Sequence, residues 1–586
     1  MKTDRAFLLR KMYRKLLPTT LVMIIIMGLN AIINSIFAGR LLGTRELAAI
    51  GLYSPVSNIL SLSFAFVAGA QILSCQEIGK GNGKGASSLF STCFVILLSL
   101  ATVFGLLMFF CGSPIATALG AGKNRDLLVA FFKGRSFGIP GFLLYTLFMT
   151  SLPLNNRSNL TVISLIAMTV SNILGDYFFI VVLHSGIFGL GLSFSISSTI
   201  GTVIAACGFF QTARQKCAIH FYFHELCFNR LFEILKNGFT QISFNLSLAL
   251  RSWVINVVLM NYFGTDAVAG VAVLNAVCCF VWAIPVGCSN AELILGSIFY
   301  GERNREAMKS LVKHVLYIML LLSGITVIAV FAAAGWLSGI YFTPGGAVWR
   351  GTVIMLRIYI LSLIPGALFM AFSAIYQVQS QILFVNIMTV VHNLLIAVLS
   401  LLLPLVMSLN GVWFSFQFGE LICIAIIAVS VFKKAGHITF KLEDWMKFDP
   451  NFGIHPENVL SFFPTSMEDV MHISESISDF CKEKKVNNPR TVYLVSLSIE
   501  ELVGNILSYG MDNQHKHCID IRLFCEGDSI TVHIKDDCRA FDPVSYLKQF
   551  SPDDITHNIG MRMVAGTAKE MTWQRILGIN HLSLTV

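Results

Sequence analysis

The chain is short of charge. Asp, Glu, Lys and Arg make up 13% of its 586 residues, against 55% hydrophobic residues, where a soluble domain carries about a quarter charged. That shortage excludes a soluble fold for most of the length. Cys-x-x-Cys pairs and zinc-like His spacings are absent, and the 14 Cys are scattered. Nothing points to a disulfide framework or a zinc module. Cys75, Cys207, Cys278 and Cys279 fall inside apolar runs and read as small core hydrophobes, which fits a bacterial inner membrane or another reducing-side location. There is no GxxxxGK[ST] loop in the chain, which argues against a P-loop motor within it.

The charge that is present is unevenly placed. Residues 1–434 hold 28 Lys+Arg and 12 Asp+Glu, and residues 435–586 hold 14 and 21. Two regions in different solvents explain the split. The basic excess of the first suits membrane loops and needs no nucleic acid partner.

Apolar stretches long enough to cross a bilayer recur twelve times, near 18–38, 47–76, 89–111, 136–155, 159–182, 189–212, 238–260, 268–299, 311–338, 351–378, 380–408 and 411–433. With the N-terminus inside, cytoplasmic segments carry 19 Lys+Arg and outer segments eight, so both termini are expected in the cytoplasm. The stretch HFYFHELCFNRLFEILKNG (220–238) alternates apolar and basic residues and predicts a helix on the inner surface.

The membrane region repeats itself. RLLGTRELAAIG (40–51) matches NYFGTDAVAGVA (261–272), Gly79 matches Gly301, and Asn172 matches Asn393. The expected fold is an all-α polytopic domain of twelve transmembrane helices in two six-helix repeats, about 10–215 and 235–435. Together with INSIFAGRLLGTRELAAIGLYSP, GAQILSCQEIGKGNGKGA and SNILGDYFFIVVLHSGIFGLGLS, the repeat resembles the multidrug and toxic compound extrusion (MATE) family over residues 10–435. The resemblance implies two lobes that alternate access, and export of organic, usually cationic, compounds in exchange for Na⁺ or H⁺.

Few polar residues interrupt the spans, and each is a functional candidate. Asp176 follows Asn172 by four residues, so the two share a helix face. The resemblance implies that this fifth-span acid helps to bind the coupling cation or proton. Asn34 departs from the family pattern, which often has Asp there. Its amide cannot take up a proton, but its carbonyl can ligate Na⁺. Glu292 in the eighth span reads as a substrate counter-ion, as a helix-end cap or as a buried partner of Arg251.

From residue 436 the pattern changes. Residues 436–455 are polar and punctuated by Pro and Gly, as a linker is, and 456–586 have the length and strand–helix alternation of a small α+β domain. SLSIEELVGNILSYG (496–510) places Glu501 and Asn505 on one helical face. VHIKDDCRAFDP ends a strand in Asp536 and Asp537, and HNIGMRMVAGTAKEM sets Gly560 at a helix start, where backbone N–H groups favour phosphate. In this order the three patches resemble the histidine-kinase-like ATP-binding fold, closest to the anti-sigma-factor serine kinases. The resemblance implies ATP and Mg²⁺ as cofactors. Asn505 would hold Mg²⁺, Glu501 would be the general base, Asp536 would accept from the adenine amino group, Gly560 would let phosphate approach, and Ser583 would lie beside the adenine. Cys538 and Asn558 stand where that pattern has Gly.

The whole reads as a membrane antiporter with a cytoplasmic ATP-binding regulatory domain. Its expected partners are a small organic substrate, membrane lipid and a cytoplasmic regulatory protein. Two alternatives stay open: a lipid or glycan flippase, and a membrane-tethered serine kinase acting on a partner protein. A flippase would line its cavity with several basic residues, and Arg251 is the basic residue placed inside a span.

Overall fold

The computed structural model describes the chain except residues 1, 38–41, 43–45, 47–48, 51, 212–217, 455, 485–488, 513–515, 527–528 and 548–558. Among the described residues, eleven helices are long and apolar enough to span a bilayer, or twelve if a pair bent by 50° counts as one. They are α1 (Lys2–Phe37), α2 (Pro55–Gly79), α3 (Gly83–Phe110), the bent α4 (Gly122–Ser136 and Ile139–Ser151), α5 (Ser158–Val182), α6 (Gly186–Gln211), α7 (Phe228–Gly264), α8 (Val273–Gly301), α9 (Arg305–Gly339), α10 (Ala347–Val378), α11 (Ile382–Met407) and α12 (Leu409–Ala435). Gly264, at φ +77°, breaks the helical path between α7 and α8, a conformation that costs glycine little.

Two expectations change. The first helix starts at Lys2, well before its apolar span. Its basic turn Arg10–Lys15 is a helical extension that packs on the C-terminal domain, and Pro18 sits inside the helix rather than at its start. Residues 218–227 are not helical but an extended strap along α3. The hydroxyls of Ser87, Ser91 and Thr92 accept from the backbone amides of His220, Tyr222 and Cys227, each at 2.9 Å. These acceptors satisfy the amides of the strap in place of helical bonds. The helix resumes at Leu231.

The two halves meet tightly at the end that carries the C-terminal domain. A Cβ on Gly79 would fall on the Ile298 carbonyl oxygen, and one on Gly301 would fall on that of Gln76. Gly69 and Gly238 make the same kind of contact with Ile234 and Ala65. Gln76 also donates to the Val378 carbonyl across the junction (3.1 Å), and Arg230 reaches Glu77 (3.3 Å). Only glycine lets α2 and α8 approach this closely. Gly79→Ala or Gly301→Ala therefore costs about 1–3 kcal/mol, as overpacking does. The check is a lower melting temperature in detergent, with Gly324→Ala, where a Cβ meets open space, left unchanged.

Residues 436–454 are strapped to the second half. Tyr376 donates to the Trp445 carbonyl (2.6 Å), Gln379 to that of Met446 (2.7 Å), and Phe452 stacks on Tyr300 at 4.6 Å.

The C-terminal domain carries a five-stranded antiparallel sheet in the order β1-β2-β3-β5-β4: β1 (Val459–Phe462), β2 (Ile519–Glu526), β3 (Ser529–Asp536), β4 (Glu570–Ile576) and β5 (Ile579–Thr585). One face packs on α13 (Met467–Glu483) and α14 (Pro489–Asn505) through Ile521, Leu523, Val532, Ile534, Leu582 and Leu584. Ser466 caps α13 in a capping box with Asp469. The opposite face carries Arg522, His533, Gln574 and His581. All four are buried, because that face lies on the membrane domain.

Candidate functional sites

Two sites come together, one in each part of the chain. In the first half of the membrane domain, α5 carries Asn172 and Asp176 into a fully buried position. Asn172 donates to Ser193 of α6 (3.1 Å), and Ser193 gives its hydroxyl to the Asn172 carbonyl (2.9 Å). Among the described residues neither carboxylate oxygen of Asp176 makes a geometric hydrogen bond, although the Ser193 hydroxyl faces it. A π-turn, Phe178–Val182, follows directly, a distortion common at functional positions. Asn34 lies in α1, and its side chain falls outside the described residues.

The second half lacks this acid and frames its asparagine differently, against α7 rather than against Ser415 of α12, the repeat counterpart of Ser193. Asn393 donates to Ser247 (2.9 Å), and Ala397 stands at the Asp176 position of the repeat. Its ionisable groups lie elsewhere. His392 of α11 and Glu420 of α12 pair at 2.8 Å, both buried, under the stacked ring of Phe369. Glu292 is fully buried with no donor to either oxygen, and Tyr13 and Cys288 face it. It is not the partner of Arg251. That guanidinium lies over Phe416 (5.5 Å) and faces Tyr359 and Glu420, because α7 packs against α10 and α11 there.

The second site is in the C-terminal domain. A cavity of about 560 Å³ lies between α14 and the strand ends, within the ordinary range for a small-molecule site. Asn505, Asp536, Cys538 and Asn580 supply its polar wall, and Tyr509, Phe541, Tyr546 and Trp573 its aromatic one. The Oδ1 atom of Asp536 accepts from Asn580 (2.7 Å) and from the Cys538 amide (2.9 Å). Burial pushes its carboxyl above the usual carboxylate range. Glu501 lies one turn back from Asn505 and abuts Gly560 at the start of α15 (Ile559–Thr567), so closely that a Cβ on Gly560 would fall on the carboxylate. Asn558 is outside the described residues.

Ser583 is a correction. Asn580 and Leu582 line the cavity, so the strand's alternation turns Ser583 to the other face, where it packs on Gly81 of the α2–α3 loop. Asn580, which the sequence reading did not single out, holds the place in the cavity. Asp537 also turns away from the cavity. It pairs with Lys11 of α1 (2.5 Å) and accepts from the Cys518 amide (2.8 Å).

On the docked face His533 and His581 lie 3.0 Å apart, with Glu302, Lys535 and Arg522 the charged groups facing them. Burial pushes both histidines well below their ordinary range. A depressed histidine gives stability that is complete above about pH 6.5 and lost as pH falls through and below that value. The melting temperature of the full chain should therefore drop between pH 7.5 and pH 5.5. The double variant His533→Gln, His581→Gln should flatten that dependence.

Two lobes of six apolar helices, related by an internal repeat and holding buried acids between helices, define a polytopic membrane transporter. The MatE family model matches residues 18–178 and 242–403, once in each half. The chain belongs to the MatE family. It is 22% identical over 336 residues to "Probable multidrug resistance protein YoeA" of Bacillus subtilis (strain 168), covering 54% of this chain and 70% of that protein. Among solved structures it resembles a MATE transporter in complex with MaL6 (TM-score 0.66, 19% identity, 72% of this chain and 97% of that one). It also resembles a mutant of the Vibrio cholerae MATE transporter VcmN (TM-score 0.66, 17% identity, 74% and 98%). The family match ends at residue 403, so the C-terminal sheet domain lies outside it.

Proposed function

We propose that this protein is a secondary active antiporter that exports organic, cationic compounds in exchange for Na⁺ or H⁺, and that its C-terminal domain is a cytoplasmic ATP-binding regulatory domain of the histidine-kinase-like type. The observation that carries the transport reading is Asp176, an acid fully buried between α5 and α6 with no geometric hydrogen bond to either oxygen among the described residues. Such a group is costly unless a cation or proton occupies it. Asn172 beside it adds an amide oxygen, and that oxygen meets no donor either. The amide at Asn34 favours Na⁺ over H⁺, because an amide ligates a cation but does not titrate. The multidrug name of the Bacillus relative supports an organic substrate. The excess of basic residues on the inner loops supports cytoplasmic termini in a bacterial inner membrane.

The cavity beside α14 supports the nucleotide reading. Asn505 would hold Mg²⁺ through its amide oxygen, and Asp536, fixed by Asn580, would accept from the adenine amino group. Aromatic walls suit a planar base. Bound ATP would supply a transferable phosphoryl group. Glu501 against Gly560 places a base beside a helix start that favours phosphate, which is the observation behind the second reading, a serine kinase acting on a partner protein.

Ethidium accumulation in exporter-deficient cells tests the transport reading. Cells expressing the protein should retain less ethidium, and sodium removal should reverse this. Equal accumulation with and without the protein, across a panel of organic cations, would count against export.

A further inference from the structure

We propose that the C-terminal domain is an inhibitory clasp: docked, it ties the two membrane lobes together over the glycine seal, and the transporter opens on that side only when the sheet lifts off. The assignment of that side to the cytoplasm rests on the function proposed above. The clasp itself rests on geometry.

The sheet touches both halves. On the first, Asn156, between α4 and α5, grips the β4–β5 turn: it donates to the Arg575 carbonyl (2.6 Å) and accepts from the Gly578 amide. Gly81, at φ +80°, presses its open side against Thr572 and Ser583, and Lys11, on the end of α1 that packs against α8 and α9 of the second half, holds Asp537. On the second half, Lys535 makes two bonds to Glu302 (2.6 and 2.5 Å), and Arg522 donates to the Glu302 carbonyl (3.0 Å). Glu302 follows Gly301 directly, and Gly81 lies two residues past Gly79. The clasp therefore holds the residues next to the seal on each side.

The dock is a built interface. An antiparallel sheet commonly leaves its polar face in water. Here that face is buried, and Ile576, Leu577 and Ile579 of the turn share one apolar cluster with Leu8, Leu9 and Met12 of α1. Separating the lobes at this end moves Asn156 away from Glu302, which one rigid sheet cannot follow while bound to both. The same strand ends reach the cavity from the other face of the sheet. Asp536 lies in it and Asp537 on the clasp, and Asn580 lies in it two residues from the gripped Gly578. A ligand in the cavity thus bears on the clasp through adjacent backbone.

Hydrogen exchange of the full chain in lipid nanodiscs tests this. Lys535→Glu repels Glu302 and should speed exchange at residues 570–585. It should also raise exchange about tenfold, the equivalent of 1.4 kcal/mol, at both 76–84 and 298–305. The double variant Glu302→Lys, Lys535→Glu restores the pair and should return all three segments to wild-type protection, which separates undocking from misfolding. Asn156→Ala, which removes the grip on the Arg575 carbonyl and the Gly578 amide, should act in the same direction from the first half. Faster exchange at 570–585 with an unmoved seal would overturn the clasp, as would no change in any segment. Ethidium efflux is read on the same variants. Faster efflux by Lys535→Glu supports inhibition, and slower efflux contradicts it. If no variant or wild type moves ethidium while the exchange pattern holds, the export reading fails and the clasp stands.

Discussion

Asp176→Asn should abolish the proposed ion-driven export and leave the protein folded in the membrane. The substitution keeps the shape of the side chain and removes its charge. Among the described residues Asp176 makes no geometric hydrogen bond, and the Ser193 hydroxyl facing it is committed to the Asn172 carbonyl, so the fold gains little from the charge. A neutral amide is easier to bury than an unpaired carboxylate. The variant should therefore melt no lower than wild type. Coupling is another matter, because an amide neither takes up a proton nor neutralises Na⁺. Export should fall to the level of empty vesicles, and Asp176→Glu should recover part of it. Full export by Asp176→Asn would remove this residue from the coupling site.

The second large effect concerns phosphate transfer. Glu501→Ala removes the proposed general base and should slow any ATP-dependent transfer about 10²- to 10⁴-fold while ATP still binds. Asn505→Ala removes the proposed metal-ligand oxygen and should weaken Mg²⁺-dependent ATP binding by about 1–3 kcal/mol. Gly560→Ala should harm both, since its methyl group would fall on the Glu501 carboxylate. Cys538 lines the cavity, so Cys538→Gly should tighten binding. Calorimetry with ATP–Mg²⁺ on the full chain separates these variants. No binding at millimolar ATP by either wild type or Cys538→Gly would remove the nucleotide role.

The spans were legible because each needs a run of apolar residues that little else in a chain resembles. Their partners were less so. His392 and Glu420 lie 28 residues apart and meet only because α11 packs on α12. The available signal was that each is an ionisable residue in an apolar helix. Arg251 was set beside Glu292 as a possible pair on charge alone, and helix packing gives it Tyr359 and Glu420 instead. The strap at 218–227 alternates as an amphipathic helix does, but the hydroxyls of α3 decide its form. In the C-terminal domain Asn505 and Asp536 line one cavity, while Glu501 and Gly560 meet each other outside its lining. Ser583 joins neither pair, because strand parity had already fixed it on the face opposite Leu582. The buried polar face of that sheet had no signal in its own sequence, since its partner surface is some 200 to 500 residues away along the chain.

The most direct test is flux into or out of proteoliposomes holding the purified full chain, with no nucleotide present and one ion gradient imposed at a time. A sodium gradient should drive ethidium in the opposite direction, a proton gradient in sodium-free buffer should not, and Asp176→Asn should be inactive under both. Flux driven by the proton gradient alone would reverse the choice of ion, and the absence of flux under either gradient would contradict the antiporter itself.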